Sequence, residues 1–199
     1  MDTLASIYHD LMGLEQLSGD FHTAVRHGWR AVNHYRSEIG RTRCMAGLAG
    51  VLRDLGDLDA AEDAYTLVAG ATEEQYFRIY AAEGLAYVAA LRGDADGYAR
   101  WTTSSDELGW ERGPLSAKAE ILFFRGLGLR SLGQFDQARR WLSNAVQYAS
   151  DNGFSRVLFR AEAALESLDL DDVTEDGSTP APPEVRDGLR AMRMAMAGG

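Results

Sequence analysis

Apolar positions recur along most of this chain at i, i+3, i+4 and i+7, the spacing of one face of an α-helix. Leu4, Ile7, Tyr8, Leu11 and Leu14 form the first stripe, and Phe21, Ala24, Val25, Trp29 and Val32 the second. Met45, Leu48, Val51, Leu52 and Leu55 continue the pattern, followed by Leu58, Ala61, Ala64, Tyr65 and Val68. A third pair runs from Tyr76 to Leu91 and then through Tyr98 and Trp101. The fourth runs from Leu115 to Leu132 and then through Phe135, Ala138, Trp141, Leu142, Ala145 and Val146. Nothing reads as a strand run bounded by hairpin turns. The pattern predicts an all-α chain.

The stripes are interrupted by a recurring polar phrase: Leu-Ser-Gly-Asp at 17–20, Leu-Gly-Asp at 55–57, Arg-Gly-Asp at 92–94 and Leu-Gly-Gln at 132–134. Its glycines, Gly19, Gly56, Gly93 and Gly133, are 37, 37 and 40 residues apart. In each phrase the glycine suits the left-handed end of one helix. Asp20, Asp57 and Asp94 suit the N-cap of the next, with Gln134 a poorer cap. Helices joined so tightly pack antiparallel. A fixed period of this size is the mark of stacked helix pairs.

On these residues the chain resembles a tetratricopeptide-repeat protein over roughly residues 3–150. The family places a small residue seven positions before the turn glycine, and here stand Met12, Ala49, Ala86 and Gly126. Five after it come Ala24, Ala61, Tyr98 and Ala138, and twelve after it Ala31, Val68, Ser105 and Ala145. The aromatic two after the glycine is Phe21 and Phe135, replaced by Leu58 and Ala95 in the middle units. The units are longer than the family's, none ends in the usual proline, and Tyr98 makes the third irregular. Such long-period units are similar to those of large bacterial transcription regulators and signalling proteins. The resemblance implies a right-handed superhelix, an α-solenoid of antiparallel helix pairs with about four repeats. Residues 153–168 would form a capping helix, giving a repeat domain over 1–168.

The remaining chain changes character. Residues 169–183 are acidic, with Gly177, Ser178 and three prolines, which predicts a linker or disordered tail. Over 184–199 a short amphipathic helix is expected, with the stripe Val185, Leu189, Met192 and Met196 beside Arg186, Arg190 and Arg193. It can dock into a groove on its own chain or on a second copy, making a homo-oligomer, or remain frayed.

Composition narrows the partners. The formal charge is −10, of which residues 162–199 carry −6, so non-specific nucleic-acid binding is not expected. No basic helix-turn-helix pattern is present either. There is no run of eighteen apolar residues, hence no expected membrane span. Met1-Asp2-Thr3-Leu4 lacks the features of a secretory signal, and Cys44 is the single cysteine. Both fit the cytoplasm. Lys118 stands alone against 19 arginines, the usage of a GC-rich bacterial genome.

No chemistry-bearing constellation emerges. His9, His22, His27 and His34 have no carboxylate or thiol at a spacing that completes a ligand set, so neither a metal nor a cofactor is expected. Gly126-Leu127-Gly128 lacks the preceding strand of a dinucleotide loop and reads as a close helix approach. The absence of an acid–base pair or nucleophile predicts a non-enzyme. What the resemblance implies is a concave groove lined by the first helix of each pair. Counting from the turn glycines gives Ser6, His9 and Gly13, then Arg43, Ala46, Gly50 and Arg53. The third unit adds Tyr80, Glu83 and Tyr87, and the fourth Glu120, Phe123, Leu127 and Arg130. Arginine forks suit carboxylates and aromatic rings supply anchoring area, so a protein or peptide partner is expected. Equally, Phe123 and Leu127 can be core and the arginines solvated. Gly13 and Gly50 stand where the family's carboxylate clamp has asparagines, so that clamp is not expected. A scaffold or adaptor is the first reading, and a ligand- or peptide-sensing domain of a bacterial regulatory system the alternative. The third unit, with Tyr80, Tyr87, Tyr98 and Trp101, is the first place to look for something bound.

Overall fold

The computed structural model describes residues 2–169 and 179–198. Among the described residues the regular structure is helical, with no strand. The first six helices are α1 (Thr3–Ser18), α2 (Phe21–His34), α3 (Glu38–Leu55), α4 (Leu58–Gly70), α5 (Gln75–Leu91) and α6 (Ala95–Glu107). After a 3₁₀ turn at Trp110–Arg112 come α7 (Leu115–Ser131), α8 (Phe135–Asn152), α9 (Ser155–Asp169) and α10 (Pro183–Ala197). No described helix is long and apolar enough to cross a membrane.

The polar phrases end and start helices for the reasons the sequence suggests. Gly19, Gly56, Gly93 and Gly133 adopt φ of 84°, 88°, 73° and 71°, a region that a Cβ disfavours. Asp20, Asp57 and Asp94 then accept hydrogen bonds from the backbone N–H groups of Thr23, Ala60 and Gly97. The Gln134 side chain makes no such bond.

Two compact units result: Met1–Gly84 with Asp176–Gly199, and Leu85–Glu175. In the first, α1 packs on α2, α2 on α3 and α3 on α4, while α10 packs on α4 and α2. Its core holds the fully buried Val25, Val32, Leu48, Val51, Leu52, Tyr65 and Val68. In the second, α7 packs on α8, and α9 covers both. Phe123, Leu142, Val157 and a row of alanines form its main core.

The positions seven before and five and twelve after the turn glycines are buried, and where the residue is large a glycine opposite makes room. Met12 is buried, and a Cβ on Gly28 would lie 2.5 Å from its Sδ. Tyr98 is likewise buried, its ring seated where a Cβ on Gly128 would come within 2.7 Å. Gly126 faces Leu142, whose Cγ would be 2.6 Å from a Cβ there. The Gly126-Leu127-Gly128 run is thus a close helix contact.

The C-terminal segment corrects the bounds expected for the linker. Asp169 closes α9 rather than opening a linker, and Ala181 is buried, with Pro183 already in α10. The rest of the expected linker, residues 170–178, lies outside the described residues. Val185 and Leu189 are almost wholly buried, and α10 packs on α4 and α2, so of the alternatives for this helix the structure shows docking on its own chain. Of the expected stripe only Met196 is exposed; Met192 is half-buried.

Candidate functional site

Within the first unit a hollow of about 440 Å³ is lined by Arg43, Ala46 and Gly47 of α3, by Glu74, and by Tyr76, Phe77 and Tyr80 of α5. Arg43 and Tyr76 are exposed, Tyr80 is half-buried, and Phe77 is buried. Three of these, Arg43, Ala46 and Tyr80, are positions counted from the turn glycines. Glu74, Tyr76 and Phe77 were missed because the count stops thirteen residues before Gly93, at Tyr80. The signal that could have found them is the aromatic cluster itself, Tyr76-Phe77 followed by Tyr80 at helical spacing.

The floor of the hollow is held by a polar network. Tyr65, fully buried, is hydrogen-bonded to Tyr80 and accepts from Arg53 Nη1 at 3.2 Å. Burial pushes the Tyr65 phenol above its ordinary range. The Tyr65 ring occupies the space over Gly84, where any Cβ would collide with it. Arg53 also donates to Asp54 Oδ1, at 2.7 Å from Nη2, and Gln16 donates to Asp54 Oδ2 at 2.9 Å. A Cβ on Gly50 would be 3.4 Å from the Tyr80 hydroxyl oxygen. Tyr80 thereby links an open surface to a fixed interior.

The other expected groove residues divide sharply. Ser6 is exposed, Gly13 borders open space, and His9 is half-buried. Arg53 and Glu83 are buried at 8 % and 6 % exposure, so neither is an open groove contact. Gly50 is buried as well. The second unit holds Tyr87, Glu120, Phe123, Leu127 and Arg130. Phe123 is core, covered by Arg160, whose guanidinium carbon sits 4.6 Å from its ring centroid. Glu120 lies 4.0 Å from the same arginine. Tyr87 packs its ring on Phe124, and Leu127 packs against the core. Arg130 remains half-buried. Tyr98 serves packing too, donating from its hydroxyl to the Arg125 carbonyl at 3.1 Å.

Charge near the hollow is tuned by burial. His9 has its pKa lowered, first by desolvation, with Asp10 opposing and the Arg43 charge adding to the depression. Its ring nitrogen Nδ1 lies 3.3 Å from the Tyr35 hydroxyl. Because the folded pKa lies below 6.5, the unfolded chain takes up this proton first as pH falls. The stability His9 contributes is therefore full above pH 6.5 and declines below it. Wild type should lose melting temperature more steeply than His9→Gln between pH 7 and pH 5.5, in parallel thermal scans. Cys44, buried under α2 with its thiol 3.6 Å from the Gly28 carbonyl, has its pKa pushed up to about 12 by burial, which disfavours the thiolate.

No family model matches the chain, and no curated protein matches it. The hollow and its supporting network carry the functional reading by themselves.

Proposed function

We propose that this protein is a non-catalytic binding module of the tetratricopeptide type, its helix pairs repeating as a right-handed α-solenoid. It holds a peptide segment of a partner protein in the hollow between α3 and the start of α5. One observation supports this reading above others: an exposed guanidinium, Arg43, borders the same hollow as three aromatic rings, one of them anchored through Tyr65 to the interior. A cation beside rigid aromatic surface suits a peptide carboxylate next to an apolar or aromatic side chain. Glu74, on the rim, favours a backbone amide or a basic neighbour in the same segment. The preformed floor limits the ordering cost of binding.

A display library of random peptides selected against the whole protein should enrich an acidic residue beside an aromatic or aliphatic one. Arg43→Glu should then weaken a selected peptide by roughly tenfold or more, as a charge-assisted contact is replaced by repulsion. Circular dichroism should show the variant still folded. Peptides with no common motif, or an affinity unmoved by Arg43→Glu, would refute the assignment.

A further inference from the structure

A second recognition surface lies on α4 and α2, and this one is occupied. α10 lies on α4 and α2, inserting the fully buried Val185 and Leu189. Gly188 faces the Trp29 ring so closely that a Cβ there would collide with it, so the helix is notched to fit an indole. Polar contacts fix its register. Asp57, already the cap of α4, accepts from the Ala181 amide at 2.7 Å and pairs with Arg186 at 3.3 Å, while Asp63 pairs with Arg193. Further along, Asp59, Glu62 and Asp63 line a hollow of about 430 Å³ with Arg190, Arg193 and Met194. The α4 part of this face is acidic and has no basic residue, while α2 brings Arg26 and Arg30, and the docked helix carries three arginines beside Glu184 and Asp187.

Receptor and occupant are far apart in sequence: the partners are separated by 124 residues at Asp57–Ala181 and by 130 at Asp63–Arg193. Thirteen residues, 170–182, join α9 to α10. A stretch of that length can reach up to about 45 Å. An identical helix from another molecule would make the same anchors, notch and ion pairs. Exchanged and unexchanged forms then make the same contacts at this face, and the protein concentration sets the balance between them.

We propose that the α2–α4 face is a helix-receptor site through which two copies exchange their C-terminal helices, each α10 seating on the other chain. This preserves the burial of Val185 and Leu189, which a dimer packed through an exposed stripe would not. The recognised element is a basic amphipathic helix with valine, glycine and leucine at the spacing of Val185, Gly188 and Leu189.

Charge exchange tests it. One chain carries Arg190→Glu with Arg193→Glu, so that its helix is repelled by its own acidic face. The other carries Glu62→Arg with Asp63→Arg, which repels its own basic helix. Each alone should run as a monomer of about 21.8 kDa by light scattering. Mixed at low salt, where ion pairing is least screened, they should form a one-to-one complex of twice that mass. The chain carrying all four changes should return to the behaviour of wild type. If both variants are folded by circular dichroism and the mixture stays monomeric, the exchange does not occur. Should either variant fail to fold, two wild-type pools with different tags are mixed at several hundred micromolar. Co-capture of the tags, abolished when both pools carry Leu189→Asp, is then the expected result. Absence of co-capture, or its persistence in Leu189→Asp, overturns the proposal.

Discussion

Replacing Arg53 by alanine is expected to destabilise the first unit by about 3 kcal/mol, whereas Arg43→Ala should change stability by no more than about 0.5 kcal/mol. Arg53 is 8 % exposed and satisfies the Tyr65 hydroxyl and Asp54 together. Truncation leaves Asp54 with only Gln16 as its other partner and opens a void beside a fully buried tyrosine. Breaking a buried ion pair typically costs about 3–5 kcal/mol, and the lower end applies because Asp54 retains 24 % exposure. Urea unfolding followed by far-UV circular dichroism measures the difference. Arg53→Lys should recover part of the loss, since an ammonium keeps the charge but cannot fork between carboxylate and phenol. A second readout separates this role from direct contact. Peptide affinity in Arg53→Ala should fall through loosening of Tyr80 and be partly restored by Arg53→Lys.

The two arginines also mark how far the sequence could be read. Both fall on the same counted face of α3, because a periodic rule gives angular position around a helix and nothing more. Depth depends on what crosses that face, and Tyr65 of α4 and Tyr80 of α5 close over one arginine and leave the other open. The turns were legible in full, since a left-handed glycine followed by a capping carboxylate acts through local backbone geometry. Helix ends accordingly lie within a residue or two of the phrases that predict them. Phe123 was ambiguous for the same reason as Arg53: a ring on a counted position is core or anchor according to α9, whose Arg160 lies over it. The stripe of α10 allowed for docking but could not say where. An amphipathic helix states that it needs a partner, and the glycine that admits Trp29 becomes meaningful only when the two are brought together. Likewise Asp57 looks like its sister caps in sequence, yet its second oxygen receives Ala181.

In the second unit the largest single effect should come from Arg125→Ala, about 3–4 kcal/mol. Arg125 is spaced four from Ile121 and from Leu129, which puts it on an apolar stripe, but its charge argues for solvent. It lies on α7 between Ile121 and Leu129 and would read as an ordinary helical arginine, yet it is 5 % exposed. Its guanidinium carbon sits 5.0 Å from the Trp110 ring centroid and 5.2 Å from that of Trp141. Nη2 donates to Asp106 Oδ1 at 2.8 Å and to the Thr102 carbonyl at 3.3 Å. Trp110 donates its indole N–H to the same Asp106 oxygen at 2.8 Å, so one carboxylate ties cation and ring together. Each desolvated ring contact contributes about 1–2 kcal/mol, and the bonds from a charged donor add a similar amount. The ion pair itself counts for little, because Asp106 is 55 % exposed and screened by water. This division is testable within one series. Asp106→Asn should cost less than about 1 kcal/mol, since the amide still accepts from Arg125 and Trp110. Trp141→Leu in the Arg125→Ala background should cost less than in wild type, the difference giving the ring–cation coupling. Added salt should leave the Arg125→Ala deficit nearly unchanged, as contacts between buried groups are weakly screened. Tryptophan fluorescence reports the loss directly, because Trp110 and Trp141 lose the cation that lies between them. A deficit that disappears at high salt would assign the stabilisation to the exposed carboxylate instead of the rings.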